Sequence, residues 1–512
     1  MKRSLTFAAA LAFVVVGLVP ILAMFARVGV EDLQSVLSDR SLALLSRTAL
    51  LGAGAAATAT VLGAPFGWLT ARTDLPLAPL WRALGVVPLL LPPLVLAMSW
   101  APMTSWRGGT ATTVLLGITC FPLVALFTSR AAERVDARRE DAARLAGGTW
   151  AVLRMEWRLL VPSVACAATF AFVFAVNDFA VPDYVSSIGP KYNVYADEVF
   201  ATWRSAQDTG RAVAAAMPLV VLTLIALVPA LELRRRIPLA SFDGDFRSPA
   251  RLPLGAWRVP ALAFVLLVLA ISVFAPLARL VYEAGGGSRT FSLDGLQASF
   301  ARAVELGRAN LQASLLYAAA AALLCIPLAV VLGHALGRNT LGARCGTLAV
   351  VLPVAVPAIL FGIGEIGTWN HPATGDLYDS GWMVVLLYVG RCAPFAILAF
   401  ASGAAMLDPR IEESARLAGI SPARRLARIV APALFPSIAG GATLVYVFSM
   451  RELDAAIFVP AANGTVLFRL YNAVHFGRDD FVAALALLVV LFVLLPGLLW
   501  SLFARRRLEV LP

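Results

Sequence analysis

Two near-copies of one polar phrase are the residues of this chain best spaced for chemistry with a partner. The first is Glu140-Asp141-Ala142-Ala143-Arg144-Leu145-Ala146-Gly147; the second, 272 residues on, is Glu412-Glu413-Ser414-Ala415-Arg416-Leu417-Ala418-Gly419. Read as a helix, Glu140 and Arg144 form an i, i+4 ion pair that supports a short segment. Ala142, Leu145 and Ala146 share one face at i, i+3, i+4. Side chains this small let another chain approach closely, and Gly147 permits the helix to end. Glu412, Ser414, Arg416, Leu417, Ala418 and Gly419 repeat the arrangement. The chemistry this suits is docking, with no bond made or broken. A plain amphipathic loop helix lying on a membrane explains one copy well and two matched copies poorly.

A second set of polar and ionisable groups lies inside apolar stretches: Asn177-Asp178, Glu365, Arg391, Arg451, Glu452 and Asp454. A charge such as Arg391 costs roughly 2.5–3.5 kcal/mol at the centre of a bilayer, so it should face protein or water. These residues are candidates for lining a solute pathway. The competing reading is structural ion pairing between helices.

No catalytic constellation accompanies them. Five cysteines and three histidines are scattered without metal-ligand spacing, so the cysteines read as small core residues and no metal or other cofactor is expected. A G-x-x-x-x-G-K-[ST] phosphate loop is absent, and the two lysines, Lys2 and Lys191, lie in no such context. The net charge of +11 comes mainly from arginines in short connecting segments, which argues against nucleic acid as a partner.

The elements that must carry these residues are membrane spans. The chain is 60% hydrophobic and 14% charged over 512 residues. Apolar runs of about 20 residues match the ~30 Å hydrocarbon layer. They do not alternate in polarity as barrel strands would. The fold class is an all-α membrane protein of about twelve transmembrane helices, at roughly 6–26, 46–68, 84–104, 110–130, 161–181 and 212–232, then 259–281, 312–336, 346–367, 382–404, 435–458 and 481–503. With both termini placed in the cytoplasm, 27 of the 42 Lys and Arg fall on the inner side, as the positive-inside rule requires. Both polar phrases then face the cytoplasm.

The chain is internally duplicated. Val87-Pro88-Leu89-Leu90-Leu91-Pro92 mirrors Leu352-Pro353-Val354-Ala355-Val356-Pro357, Cys120-Phe121-Pro122 mirrors Cys392-Ala393-Pro394, and Asn177-Asp178 aligns with Arg451-Glu452. Leu11-Ala12-Phe13-Val14 recurs as Leu262-Ala263-Phe264-Val265, so the first span reads as structural rather than as a cleaved signal. Six spans per copy give two parallel six-helix repeats, 1–232 and 259–512, joined by a cytoplasmic linker at 233–258 that carries Arg234-Arg235-Arg236 and Asp243-Gly244-Asp245. Such halves face each other across a pathway.

The phrases resemble the cytoplasmic signature of permease subunits of binding-protein-dependent ABC importers. After Gly419, Ile429, Ala431 and Pro432 continue the likeness; Trp157 and the late Pro162 depart from it in the first half, which implies a docking helix of different length or angle there. The resemblance implies ATPase-coupling roles for Glu140, Asp141, Ala142, Ala143, Gly147, Glu412, Glu413, Ser414, Ala415 and Gly419. Its implied partners are a cytoplasmic ABC ATPase in two copies, a periplasmic or extracellular solute-binding protein, and membrane lipid. The implied location is the bacterial inner membrane. Fusion of two halves in one chain is similar to the iron(III) branch, and also to the thiamine and phosphonate branches; Met450-Arg451-Glu452-Leu453-Asp454 looks like the iron(III) group. Iron(III) is the expected solute. An ion-coupled secondary carrier is the competing class, but it needs no docking phrase.

Overall fold

The computed structural model describes residues 2–29, 31, 39–206, 209–236, 247, 249–286, 290–337, 341–475 and 479–508. Among them the regular structure is helical, with one isolated parallel bridge between Thr73 and Leu252. Nine of the described helices are long and apolar enough to cross a membrane, and three bent helix pairs bring the total to as many as twelve when each pair is taken as one span. The twelve follow the order of the apolar runs in the sequence.

Two bends fall at matched places in the duplication. Ala78–Leu90 and Pro93–Trp100 meet at 97°, and Gly342–Ala355 and Ala358–Trp369 meet at 98°. The expected spans 84–104 and 346–367 are therefore broken rather than straight. Proline is the cause. Pro92 and Pro357 have no N–H to donate one turn back, and the residues before them are pushed to extended geometry. Leu91 accordingly has ψ 137°. The third bend, 80°, separates Pro422–Ala433 from Phe435–Arg451.

The chain forms two compact units. One comprises Ser35–Ala201 and Ala216–Leu280. In it, the Asp39–Arg72 helix packs along Gly108–Glu133 and Ala137–Asn177, while Arg258–Leu269 lies against Asp39–Arg72 and Ala78–Leu90. The other comprises Met1–Gln34, Thr202–Ala215 and Val281–Pro512. There, Leu293–Leu336 packs along Gly381–Ala404 and Phe435–Arg451, and Val19–Phe25 packs on Ala358–Trp369. The units are thus drawn differently from the sequence halves 1–232 and 259–512, because the opening helix of each half packs within the unit built mostly from the other half's residues.

The expected linker is only partly described; Asp243-Gly244-Asp245 lies outside the described residues. Its start is helical, since Thr209–Arg236 runs through Arg236. Its later part lies along the end of the Asp39–Arg72 helix, where Leu252 N–H donates to the Arg72 carbonyl at 2.7 Å and Asp74 N–H donates to the Leu252 carbonyl at 3.2 Å.

Candidate coupling site

Both polar phrases fold as short capped helices. Asp136 accepts from Arg138 N–H at 2.9 Å, and Asp408 accepts from Arg410 N–H at 2.9 Å. These aspartates satisfy N–H groups that the first helical turn leaves without partners. The second helix spans Pro409–Leu417 and ends at Gly419, whose φ is +71°. In the first, the helical run from Ala137 breaks at Gly147 (φ −174°, ψ 26°) and Gly148 (φ 66°, ψ −157°) before resuming to Asn177. The backbone therefore leaves helical geometry at Gly147, and the positive φ falls on the next residue, Gly148. The two halves also diverge beyond the break. The first continues as one helix through Pro162, whereas the second steps through Pro422–Arg425, a π turn at Leu426–Val430 and the bend at Leu434.

Each phrase presents two faces. Ala142, Leu145 and Ala146 are exposed, as are Ser414, Leu417 and Ala418. Leu145 is 91% exposed and Leu417 is 86% exposed, at the same position in the two phrases. Asp141 and Glu413 are also exposed. The opposite face carries Glu140 with half-buried Ala143, and half-buried Glu412 with buried Ala415.

Glu140 points inward to a partner absent from the repeated phrase. Arg72, the last residue of the Asp39–Arg72 helix, donates from Nη2 to Glu140 Oε2 at 2.8 Å and from Nε to Glu156 Oε1 at 2.7 Å. Its Nη1 donates to the Ala250 carbonyl at 2.8 Å. Trp68 Nε1 donates to Glu156 Oε2 at 2.9 Å, and the expected Arg144–Glu140 pair forms at 3.1 Å. The side chains of Arg72, Glu140 and Glu156 are 2%, 3% and 1% exposed. A buried ion group persists only when its charges are paired and its remaining lone pairs are filled; here all four carboxylate oxygens have donors. The counterpart in the second half is lighter. His334 Nε2 lies 2.7 Å from Glu412 Oε1, and both side chains are partly exposed.

Arg72, Trp68, Glu156 and His334 carry no local sequence motif that marks them for this site. Arg72 and Glu156 lie 84 residues apart, and a pairing that distant leaves no local pattern. The available signal was Glu156 itself, a lone carboxylate in an apolar, arginine-bearing stretch.

The intramembrane candidates divide. Arg391 pairs with Glu452, Nε to Oε2 at 2.9 Å, and its Nη1 donates to the carbonyls of Pro353 and Val356 at 3.2 Å each. The Pro353 carbonyl is the one that Pro357 cannot serve, so Arg391 caps the broken helix. Glu452 and Asp178 do the same local work in the two halves. Each follows a helix that ends in extended geometry, and each accepts from an N–H three residues on: Ala455 to Glu452 at 3.0 Å, Val181 to Asp178 at 2.9 Å. Arg451 lies over the Phe448 ring at 5.6 Å, and half-buried Asp454 sits in the following turn. Asn177 is buried. Glu365 is fully buried, and its carboxylate makes no hydrogen bond to the other candidates. Among the described residues no cluster of His, Cys, Asp and Glu could hold a metal ion.

Residues 325–509 match the model of the binding-protein-dependent transport system inner membrane component. Over 188 residues, 36% of this chain, the sequence is 30% identical to the molybdate/tungstate transport system permease protein WtpB of Thermococcus kodakarensis and covers 74% of it. The chain belongs to the binding-protein-dependent permease family. The permease is also 30% identical over 194 residues to the putrescine transport system permease protein PotI of Escherichia coli, covering 37% of this chain and 68% of the relative. It is 26% identical over 366 residues to a probable ABC transporter permease protein, y4fN, of Sinorhizobium fredii, covering 67% and 62% respectively. These relatives are permease subunits rather than enzymes, and the permease is likewise a multi-pass membrane component of an ABC importer.

Proposed function

We propose that the permease forms the solute pathway of an ATP-driven importer and receives force from a separate cytoplasmic ATPase pair through Glu140–Gly148 and Glu412–Gly419. The observation that carries this reading is the two-faced form of both phrases: a glutamate turned inward toward the end of a span, and Leu145 or Leu417 standing almost fully out. A short rigid helix of that kind inserts its outer face in a partner's cleft and passes the partner's motion to the spans. A solute-binding protein delivers the solute on the opposite side, and both termini lie with the docking helices.

Asp178 and Arg451 are the residues proposed to line the pathway, because they stand at matched breaks in the fifth and eleventh spans, where Asp178 and Glu452 follow the last helical residues Asn177 and Arg451, and irregular backbone at membrane depth belongs beside a cavity. Iron(III) is the finer reading of the solute, supported by the fused two-half chain and by Met450–Asp454. The relatives' names give molybdate or tungstate and putrescine instead.

Reconstitution with the ATPase and binding protein tests both levels. Uptake of labelled iron(III) that needs ATP, and that falls in Asp178→Ala and Arg451→Ala, is the expected result. ATP-dependent uptake of molybdate or putrescine in its place overturns iron(III) and keeps the importer. Normal uptake by both variants removes their pathway role, and flux that persists without ATP overturns the importer reading.

A further inference from the structure

We infer that Arg72 is the positioning residue that ties the first docking helix to the Asp39–Arg72 span, so that the two move as one body. The inference rests on the coupling reading above. Arg72 lies outside the repeated phrase, yet every nitrogen of its guanidinium is engaged. One side chain touches the docking helix through Glu140, the helix beyond the glycine break through Glu156, and the later part of the linker through the Ala250 carbonyl.

The backbone around it adds a strap. Ala137 N–H, in the first turn of the docking helix, donates to the Arg247 carbonyl at 3.0 Å. Leu252 N–H donates to the Arg72 carbonyl, and Leu254 N–H donates to Asp74 Oδ1 at 2.9 Å. The N-terminal end of the docking helix is therefore held twice, by Glu140 on Arg72 and by Ala137 on residue 247. Its other end meets the glycine break, where the backbone can turn.

Burial decides what the group can do. At the surface, ion pairs exchange with water and fix little. Arg72, Glu140 and Glu156 are almost wholly enclosed, so their charge-assisted bonds hold direction as well as distance. A push on the outer face of the docking helix then reaches the span through a connection that cannot slip by exchanging partners with solvent. A group that only balanced charge would be replaceable by neutral side chains without effect on coupling, and this separates the two roles.

The test uses full-length permease in proteoliposomes with its ATPase and binding protein, reading ATPase retention, ATP hydrolysis and uptake together. Wild-type protein that retains no ATPase and shows no ATP-dependent uptake would sink the coupling reading itself. Given a coupled wild type, Arg72→Gln is expected to retain the ATPase within about twofold while uptake per ATP falls about tenfold or more, the size of an ordinary coupling free energy. Because that variant leaves the buried Glu156 without a cation and Glu140 with Arg144 alone, the neutral triple variant Arg72→Gln/Glu140→Gln/Glu156→Gln provides the folding control and is expected to be uncoupled too. Wild-type uptake per ATP in the triple variant overturns the inference. So does a loss of ATPase retention that matches the loss of uptake at an unchanged ratio, because that result describes a residue that only stabilises the fold.

Discussion

Asp197 shows how a single carboxyl can set the pH response of a surface element. It begins the Tyr195–Ala206 helix and accepts from Val194 N–H at 3.0 Å. Burial pushes its carboxyl up from 3.8 to about 7, against the lowering effect of that hydrogen bond, and the nearby carboxylates of Asp183, Asp178 and Glu198 push the same way. The folded state therefore holds this proton more tightly than the unfolded chain does. Its contribution to stability is complete below about pH 4 and is lost as pH rises to about 7. Amide protection in Tyr195–Ala206, taken as the exchange rate relative to the intrinsic rate at each pH, should fall between about pH 4 and 7 in the wild type and stay flat in Asp197→Asn, which keeps an acceptor for Val194 without the charge. An equal fall in protection in the variant would assign the response to another group. Arg391 is a different case at the same scale. The sequence marks it as a costly charge in a span, and the structure spends it on Glu452 and on two carbonyls beside Pro357.

The docking helices illustrate what an element inherits from its termini. Both are capped by aspartate and both end at a glycine of positive φ, but the two glycines are not equivalent. Gly419, at φ +71°, is the residue that normally closes a helix in the left-handed region, where an alanine costs roughly 1–2 kcal/mol. Gly148, at φ 66° and ψ −157°, occupies a region essentially restricted to glycine, where other residues cost about 1–3 kcal/mol. Gly148→Ala should therefore disturb its docking helix more than Gly419→Ala does. Proteolysis at the phrase and ATPase pull-down from membranes with equal permease content would rank the two, and the reverse order would contradict the geometry. The phrases themselves are readable from sequence because they are polar, duplicated and set between apolar runs. The third and ninth spans are readable as spans but not as bends, although Pro92 and Pro357 stand in plain view. A proline can be absorbed as a kink, as Pro65 is within Asp39–Arg72, and only the packing around it decides between the two outcomes. Arg72 and Glu156 were invisible for a different reason, since their pairing is made by the fold and has no period.

At the scale of the whole chain, duplication predicts two similar halves but not where each half's opening helix packs. That choice depends on surface fit. Residues 2–25 share a compact unit with Val281–Pro512, and the contact is made backbone to backbone. A Cβ at Gly364 would lie 2.5 Å from the Pro20 carbonyl oxygen, and one at Gly390 would lie 2.4 Å from that of Val16. Arg27 then closes the end of the contact by donating to the Gly367 carbonyl at 3.0 Å. Without a water-driven hydrophobic force between helices in lipid, such close approach is what holds them together. Gly390→Leu must therefore push the first helix away, while the Gly108–Glu133 helix, in the other unit, has no part in that contact. Hydrogen exchange on the full-length permease in lipid discs should show faster exchange in Lys2–Phe25, Ala358–Trp369 and Gly381–Ala404 of the variant and wild-type rates in Gly108–Glu133. A change in Gly108–Glu133 as large as that in Gly381–Ala404 would mean that the two units unfold together and that the first helix is not a local element of one of them.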